Sequence, residues 1–146
     1  MHDLKFPLVP DDYHLRDVGK TKQGNGYWIT QQLTSDGNTT RDFVAAYLFD
    51  KDGHFISADV VDLGLREPNK DGGLGDALAR LRRKIDAETV EQIWVRPFST
   101  AFFGETFGLV VREDEHEEFQ GEQLIDALPG HTLMFYGPWD TCNYDT

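Results

Sequence analysis

Hydrophobic and polar residues alternate along most of this chain, and a period of two residues is typical of β-strands. In the first half, short clusters of Gly, Asn and Asp separate the alternating segments, and these residues tolerate the positive φ angles that tight hairpins require. Strands joined by such short turns pair in antiparallel order. The first half therefore predicts a meander with strands over residues 14–20, 27–34, 42–50 and 54–62.

The third of these segments has apolar residues on both faces. Phe43 and Tyr47 fall on one face, and Val44 and Leu48 fall on the other. A strand that is apolar on both faces is normally covered on both faces. Residues 42–50 are therefore predicted to form a central strand.

One segment has the helical period instead. Apolar residues recur at intervals of three and four from Leu74 to Ile85, which places them on one stripe of a helix. Basic residues gather near the end of this segment, where they favour the negative end of the helix dipole. The pattern predicts a helix over residues 73–85.

Alternation returns after the helix, with strands predicted over residues 90–98, 103–111, 123–128 and 131–136. The order of elements is then ββββ-α-ββββ, and the helix must bury its apolar stripe on the face of a sheet. The sequence predicts an α+β fold in which one antiparallel sheet packs on one central helix. No linker or repeat interrupts residues 1–146, so we expect a single domain.

Charge is the feature of the composition that departs from an average protein. The net charge of the 146 residues is −12, and residues 113–146 contain nine acidic residues and no Lys or Arg. Such a surface repels nucleic acid and anionic membranes, and it attracts a basic protein. We therefore expect neither nucleic acid nor a membrane as a partner, and favour a basic protein. An acidic surface also promotes solubility by itself, and the oligomeric state stays open.

The cysteine content and the apolar runs indicate a cytoplasmic location. Cys142 is the only cysteine, so no intramolecular disulfide can form, and this fits a reducing compartment. The longest apolar run, residues 43–49, is far shorter than the roughly 20 residues that span a bilayer. The amino-terminal residues do not resemble a secretory signal. We expect a cytoplasmic protein without a membrane anchor.

No segment carries a catalytic, metal-binding or cofactor-binding signature. Residues 50–54 begin like a calcium loop, but the Gly is misplaced and no Glu stands at the twelfth position. The glycine-rich residues 70–75 lack the Gly-Lys-Ser/Thr of a phosphate-binding loop. Cys142 has only distant histidines such as His116 and His131 as a potential base, and the histidines show no zinc-binding spacing. We therefore assign no catalytic, metal or cofactor residue, and expect Cys142→Ser to leave any activity intact.

The strongest local charge feature is the acidic cluster at residues 113–118. It can be a solvated loop between two strands, a weak binding surface for divalent cations, or a surface for a basic partner. The carboxy-terminal Pro-Trp-Asp peptide adds an aromatic and an acid to that surface. The residues predicted to contact the partner are Glu113, Asp114, Glu115, Glu117, Glu118, Trp139 and Asp140.

Several short motifs support a resemblance to known proteins. They are YLFDKDG at residues 47–53, FGLV at 107–110, LPG at 128–130, MFYGPWD at 134–140 and YDT at 144–146. Through these motifs the chain resembles a group of small bacterial proteins that are often labelled formate hydrogenlyase regulatory protein HycA. The label implies a regulatory role through protein interaction, and the resemblance implies no catalytic residues.

Three functions of different classes remain open. The favoured one is a non-enzymatic interaction protein, of the regulatory or the immunity type, that presents acidic surface to a basic partner. The second is a domain that binds a small ligand in a cavity between the sheet and the helix. The third is an enzyme whose active site is assembled from dispersed residues. A deep polar pocket would favour the second or third function, and an acidic face with exposed aromatic residues would favour the first.

Overall fold

The computed structural model of the protein describes residues 4–68, 72–113 and 123–146, and these residues form twelve strands and one helix. In chain order the elements are β1 (Phe6–Leu8), β2 (Asp17–Thr21), β3 (Gly26–Asp36), β4 (Thr39–Phe49), β5 (Phe55–Leu65), α1 (Leu74–Lys84), β6 (Ala87–Val90), β7 (Ile93–Val95), β8 (Phe98–Phe102), β9 (Glu105–Glu113), β10 (Gln123–Leu128), β11 (Met134–Tyr136) and β12 (Asn143–Asp145). Every pairing among these strands is antiparallel.

The described strands form three sheets that stack with the helix in layers. The helix-bearing sheet has the order β5-β4-β3-β2-β6, and the outer sheet has the order β12-β11-β10-β9-β8. A ribbon of β1 and β7 is the third sheet. Helix α1 packs on one face of the helix-bearing sheet. The opposite face packs on the outer sheet, so the layers run helix, sheet, sheet.

The larger core lies between the two five-stranded sheets. Trp28, Tyr47 and Phe43 of the helix-bearing sheet are fully buried there against Phe107 and Phe135 of the outer sheet. Residues from β1 and β7 complete this core. Burial of so many large aromatic and aliphatic side chains is the main force that holds the sheets together.

The smaller core lies under the helix. Ala77, Leu81 and Ile85 of the apolar stripe are buried against Ile29 and Val44 of the helix-bearing sheet. The β4 strand therefore has one apolar face in each core. This confirms the prediction that residues 42–50 form a central strand covered on both sides.

The structure corrects the predicted arrangement of one sheet on one central helix. The antiparallel pairing and the helix are confirmed, but the described strands divide into three sheets, and the helix covers only one of them. The segment predicted as one strand over residues 90–98 is broken into β6, β7 and the start of β8. Its alternation continues across Glu91 and Pro97, where the chain leaves one sheet and enters another.

The polar face of β3 also points inward. Thr30 and Gln32 share a face with Trp28 and are buried between the sheets. Gln32 accepts a hydrogen bond from the Thr132 hydroxyl at 2.8 Å, which joins β3 to the turn between β10 and β11. Among the described residues, no helix is long and apolar enough to cross a membrane.

Candidate functional site

The outer sheet has one face in the core and one face away from it, and the second face is the first candidate site. Cross-strand pairing aligns Val110, Asp126, Met134 and Asp145 in one row across this face. The next row is aligned in the same way and consists of Arg112, Leu124, Tyr136 and Asn143. The face therefore combines apolar and aromatic side chains with acids at its margin.

A buried carboxylate lies at the centre of this outer face. Asp126 is only 3% exposed, and its side chain is paired with the guanidinium of Arg112. The Nδ1 atom of His131 lies 3.3 Å from the same carboxylate oxygen. Arg112 also contacts the sulfur of Met134 at 3.4 Å. These contacts satisfy Asp126 and at the same time neutralise Arg112.

The pairing of Arg112 leaves this layer strongly acidic. The chain from residue 98 onward contributes all five strands of the outer sheet, and it contains ten acidic residues and one basic residue, Arg112. The net charge of this part is therefore −9 out of the −12 of the whole chain. Among the described residues of this part, the acids are Glu105, Glu113, Asp126, Asp140 and Asp145, which together with Arg112 give a net charge of −4.

The structure describes three of the seven residues that are predicted to contact the partner. Glu113 is exposed at the end of β9, and Asp140 is exposed in the turn before β12. Trp139 is half-buried and packs edge-on against the ring of Phe6, with ring centroids 5.9 Å apart. The terminal peptide therefore folds back on the core. The remaining predicted residues, Asp114, Glu115, Glu117 and Glu118, lie outside the described residues.

A cleft of about 460 Å³ lies on the helix-bearing sheet, beside the start of α1. Its polar side is formed by Asp42, which is 8% exposed and accepts two hydrogen bonds from Arg66 at 2.7 and 3.0 Å. The side-chain amide of Gln31 donates a third bond at 3.1 Å. Leu63 and Leu74 form apolar walls. This is the place between sheet and helix where the second hypothesis puts a small ligand.

A bulge in β5 explains how Arg66 reaches Asp42. The register between β4 and β5 shifts at Asp42 and Phe43, and Gly64 has a φ of 80°, which favours glycine. The carboxylate of Asp62 accepts a hydrogen bond from the Gly64 backbone N–H at 2.8 Å. The bulge thus orients the chain that follows it, so that Arg66 reaches the buried carboxylate of Asp42.

Cys142 does not lie in a nucleophilic environment. Burial raises the pKa of its thiol, and the neighbouring carboxylate of Asp11 acts in the same direction. A thiol with a raised pKa stays protonated near neutral pH and is a poor nucleophile. His131 is bound at Asp126, and His116 lies outside the described residues. The described contacts therefore join Cys142 to neither of the histidines considered as its base.

Asp11 is the centre of a network that joins the two ends of the described chain. It accepts hydrogen bonds from the hydroxyl of Tyr144 and from the backbone N–H groups of Tyr13 and Leu15. Burial would raise the pKa of Asp11, but these bonds and the nearby His14 outweigh it and lower that pKa. The network fastens β12 to the segment before β2.

The turn after β4 brings three potential metal ligands together. One ligand atom each from Asp50, Asp52 and His54 lies within 4.8 Å of the others. Asp50 already accepts hydrogen bonds from the backbone N–H groups of Asp52 and His54 at 2.9 Å. The bond from His54 is the main cause of a lowered pKa for Asp50. This arrangement accounts for the hairpin turn that the sequence predicts at residues 50–53.

Comparisons with models of protein families, with curated proteins and with solved structures found no match for this chain. The chemistry of each site is therefore derived from its own residues. The pairings of Asp42 with Arg66 and of Asp126 with Arg112 were not predicted from the sequence. Acids and arginines at ordinary surface frequency give no signal of such pairs, and only the register of the strands brings them together.

Proposed function

We propose that this chain is a non-enzymatic interaction protein that binds a basic protein partner through the outer sheet. The observation that supports the proposal most directly is the acidity of the chain that forms this sheet, five of whose ten acids lie among the described residues. Its chain segment carries −9, and its one Arg is already paired with Asp126. A regulator or an immunity-type inhibitor would use such a surface to attract a basic partner and hold it.

The other features of the outer face fit the same role. Protein interfaces combine a central apolar patch with a polar rim, and aromatic residues are enriched in them. Tyr136 is exposed beside the half-buried Met134 and Val110, and the exposed acids Glu113, Asp140 and Asp145 lie on the same layer. The regulatory role implied by the resemblance to the HycA-labelled proteins agrees with this proposal.

Affinity capture from the native cell, with matched charge variants, tests the proposal. The first variant combines Glu113→Gln, Asp140→Asn and Asp145→Asn on the outer layer. The control variant removes three exposed acids elsewhere, through Asp52→Asn, Asp76→Asn and Glu88→Gln. Both variants have the same net charge, so only the location of the charge differs.

We expect the parent and the control variant to retain the same basic protein at low salt. The outer-layer variant should retain markedly less of it, and high salt should weaken the capture by all three. Equal capture by the two variants would refute the outer sheet as the binding surface. A captured partner that is acidic would refute the charge argument.

A small-ligand function is the second candidate, because the cleft beside α1 lies between sheet and helix and has a buried carboxylate in its wall. All of the described polar contacts of Asp42 are, however, made within the protein, by Arg66 and Gln31. The pairing of Arg66 with Asp42, which holds the chain that follows β5, therefore explains the buried carboxylate in the cleft. The acidic layer therefore supports the better proposal.

A further inference from the structure

The hairpin between β8 and β9 places a large aromatic residue where the backbone disfavours it. Phe102 pairs with Glu105, so Phe103 and Gly104 form a two-residue loop, and their φ angles are 54° and 77°. Loops of this kind normally use Asn-Gly or Asp-Gly, because other residues are strained at positive φ. Strain of this kind is a reason to look for a function of the residue that bears it.

Phe103 is also exposed, which a residue retained only for packing would not be. It is 60% exposed, although its ring stacks on Phe43 at 6.0 Å with 21° between the planes. Leu65 of the neighbouring sheet is 57% exposed. Between them lies a notch of about 560 Å³ at the edge of the two sheets, with the exposed ring of Phe103 in its wall and the buried Phe43 behind it.

The rim of the notch is acidic. Asp36, Asp62 and Glu105 contribute three carboxylates, and Arg41 contributes one guanidinium, which is paired with Asp62 at 3.1 Å. No ion pair within the described parts of the chain engages Asp36 or Glu105. The notch therefore joins aromatic and aliphatic surface with two carboxylates that are free to pair.

We infer that the notch receives an arginine side chain of the basic partner. Arginine meets all three features, since its stem packs on apolar surface, its planar head stacks on aromatic rings, and its fork pairs with carboxylates. A central side chain in such a pocket is a common source of binding energy in protein complexes. The inference rests on the proposed function and assigns a contact for the partner at the edge of the outer sheet, where the β8–β9 hairpin meets the helix-bearing sheet.

Nuclear magnetic resonance titration with single amino-acid probes tests the inference without the partner. The probes are N-acetyl-arginine amide, the charged N-acetyl-lysine amide and the neutral N-acetyl-citrulline amide. We expect the arginine probe to shift the amide signals of residues 36, 62, 103 and 105 in a saturable way. The lysine probe should bind more weakly, and the citrulline probe should leave these signals unchanged.

Two variants show whether the side chains of the notch cause this binding. Phe103→Asn removes the ring and suits the positive φ, so the melting temperature should not fall while binding of the arginine probe weakens, roughly two- to fivefold. Glu105→Gln keeps the size of the side chain and should also weaken binding. Tyr13→Asn removes an equally exposed aromatic from another surface and serves as the control.

Arginine signals that are confined to other surfaces, or unchanged in Phe103→Asn and Glu105→Gln, would overturn the inference. Equal binding of the lysine or the citrulline probe would overturn the choice of arginine. The proposed function is tested separately, since the capture experiment changes Glu113, Asp140 and Asp145 and leaves the notch intact. Loss of one result with retention of the other therefore shows which proposal has failed.

Discussion

Two carboxylates, Asp42 and Asp126, are buried among the described residues, and each is paired with an arginine that remains partly exposed. A buried charge is unfavourable unless it is paired and hydrogen-bonded, so removal of either arginine should destabilise the fold. Arg66 and its partner belong to the helix-bearing sheet and the chain that follows it, and Arg112 and its partner belong to the outer sheet. Arg66 holds the chain that follows β5 against β4, and Arg112 joins β9 to β10.

We expect Arg66→Met to lower the free energy of unfolding by about 1.5–3 kcal/mol, because Asp42 loses two charge-assisted hydrogen bonds. The double variant Arg66→Met with Asp42→Leu should recover much of this loss, since no unpaired charge then remains. Urea denaturation measures both values. Arg80→Met, at an exposed helix position, is the control and should change stability by less than about 0.5 kcal/mol.

The pair of Asp11 and Tyr144 should contribute to the dependence of stability on pH at both ends of the pH range. The folded protein holds the pKa of Asp11 below its ordinary value of 3.8, so the unfolded chain binds a proton more readily. This stabilisation is complete above pH 3.8 and is lost as the pH falls through the lowered pKa. Burial and the bond to Asp11 raise the pKa of Tyr144 to about 12 from 10.0, so stability also falls as the pH rises from 10 toward 12.

Tyr144→Phe should flatten both limbs of this profile. Without the hydroxyl, Asp11 loses a bond that lowers its pKa, and position 144 no longer has a phenol that ionises at high pH. Tyr27 and Tyr47, whose pKa values are also raised by burial, still contribute to the alkaline limb, so the flattening there is partial. Tyr13→Phe, in the same segment, should leave the profile as in the parent. Unfolding midpoints in urea across the pH range measure the effect, and superimposable profiles for Tyr144→Phe and the parent would contradict the assignment.

Elements of the fold were predictable to different degrees. The stripe from Leu74 to Ile85 predicted the helix within one residue at each end, and residues 123–128 match β10. The short strands β1 and β12 contain three residues each, which is too few for a period to show. The position of β1 also depends on a partner far away in the chain, because β1 pairs with β7, whereas β12 pairs with the adjacent β11.

The division into sheets could not be predicted either, because alternation shows which side of a strand is apolar and not which strand it pairs with. Gly19 shows how a single residue decides such a pairing. A Cβ atom at this position would lie 1.8 Å from the backbone oxygen of Thr89, so only glycine lets β6 approach β2 so closely. In the sequence, Gly19 is one glycine among 14.

The helix should be a strong contributor to stability despite its length of 11 residues. A helix this short is marginal alone and depends on its packing. Leu81 is fully buried against the helix-bearing sheet, so Leu81→Ala should lower the free energy of unfolding by about 2–5 kcal/mol. Thermal unfolding measures the loss. Arg83→Ala, two positions further along on the exposed side, should have little effect, and a similar loss in both variants would contradict this account.

For the whole molecule, the excess of acids in the chain from residue 98 onward has a kinetic consequence. Exposed charges act over about 8–10 Å at ordinary salt, so they accelerate the encounter with a basic partner more than they hold the complex. The variant with Glu113→Gln, Asp140→Asn and Asp145→Asn should therefore associate with the captured partner several-fold more slowly, with a smaller change in dissociation rate. Stopped-flow mixing at two salt concentrations measures this. The difference from the parent should vanish at high salt. An association rate that changes neither with salt nor with the substitutions would refute electrostatic acceleration of the encounter.

The order of strands in the sheets bears on how the chain reaches its native state. Within the described residues, β2 to β5 pair with their neighbours in sequence, and so do β8 to β12. Only the pairings of β2 with β6 and of β1 with β7 join distant segments. Loop closure is less costly between close neighbours, so we expect two meanders to form early and independently, with β6 and the ribbon closing the structure last. Substitutions in β1 would then accelerate unfolding while leaving the folding rate almost unchanged.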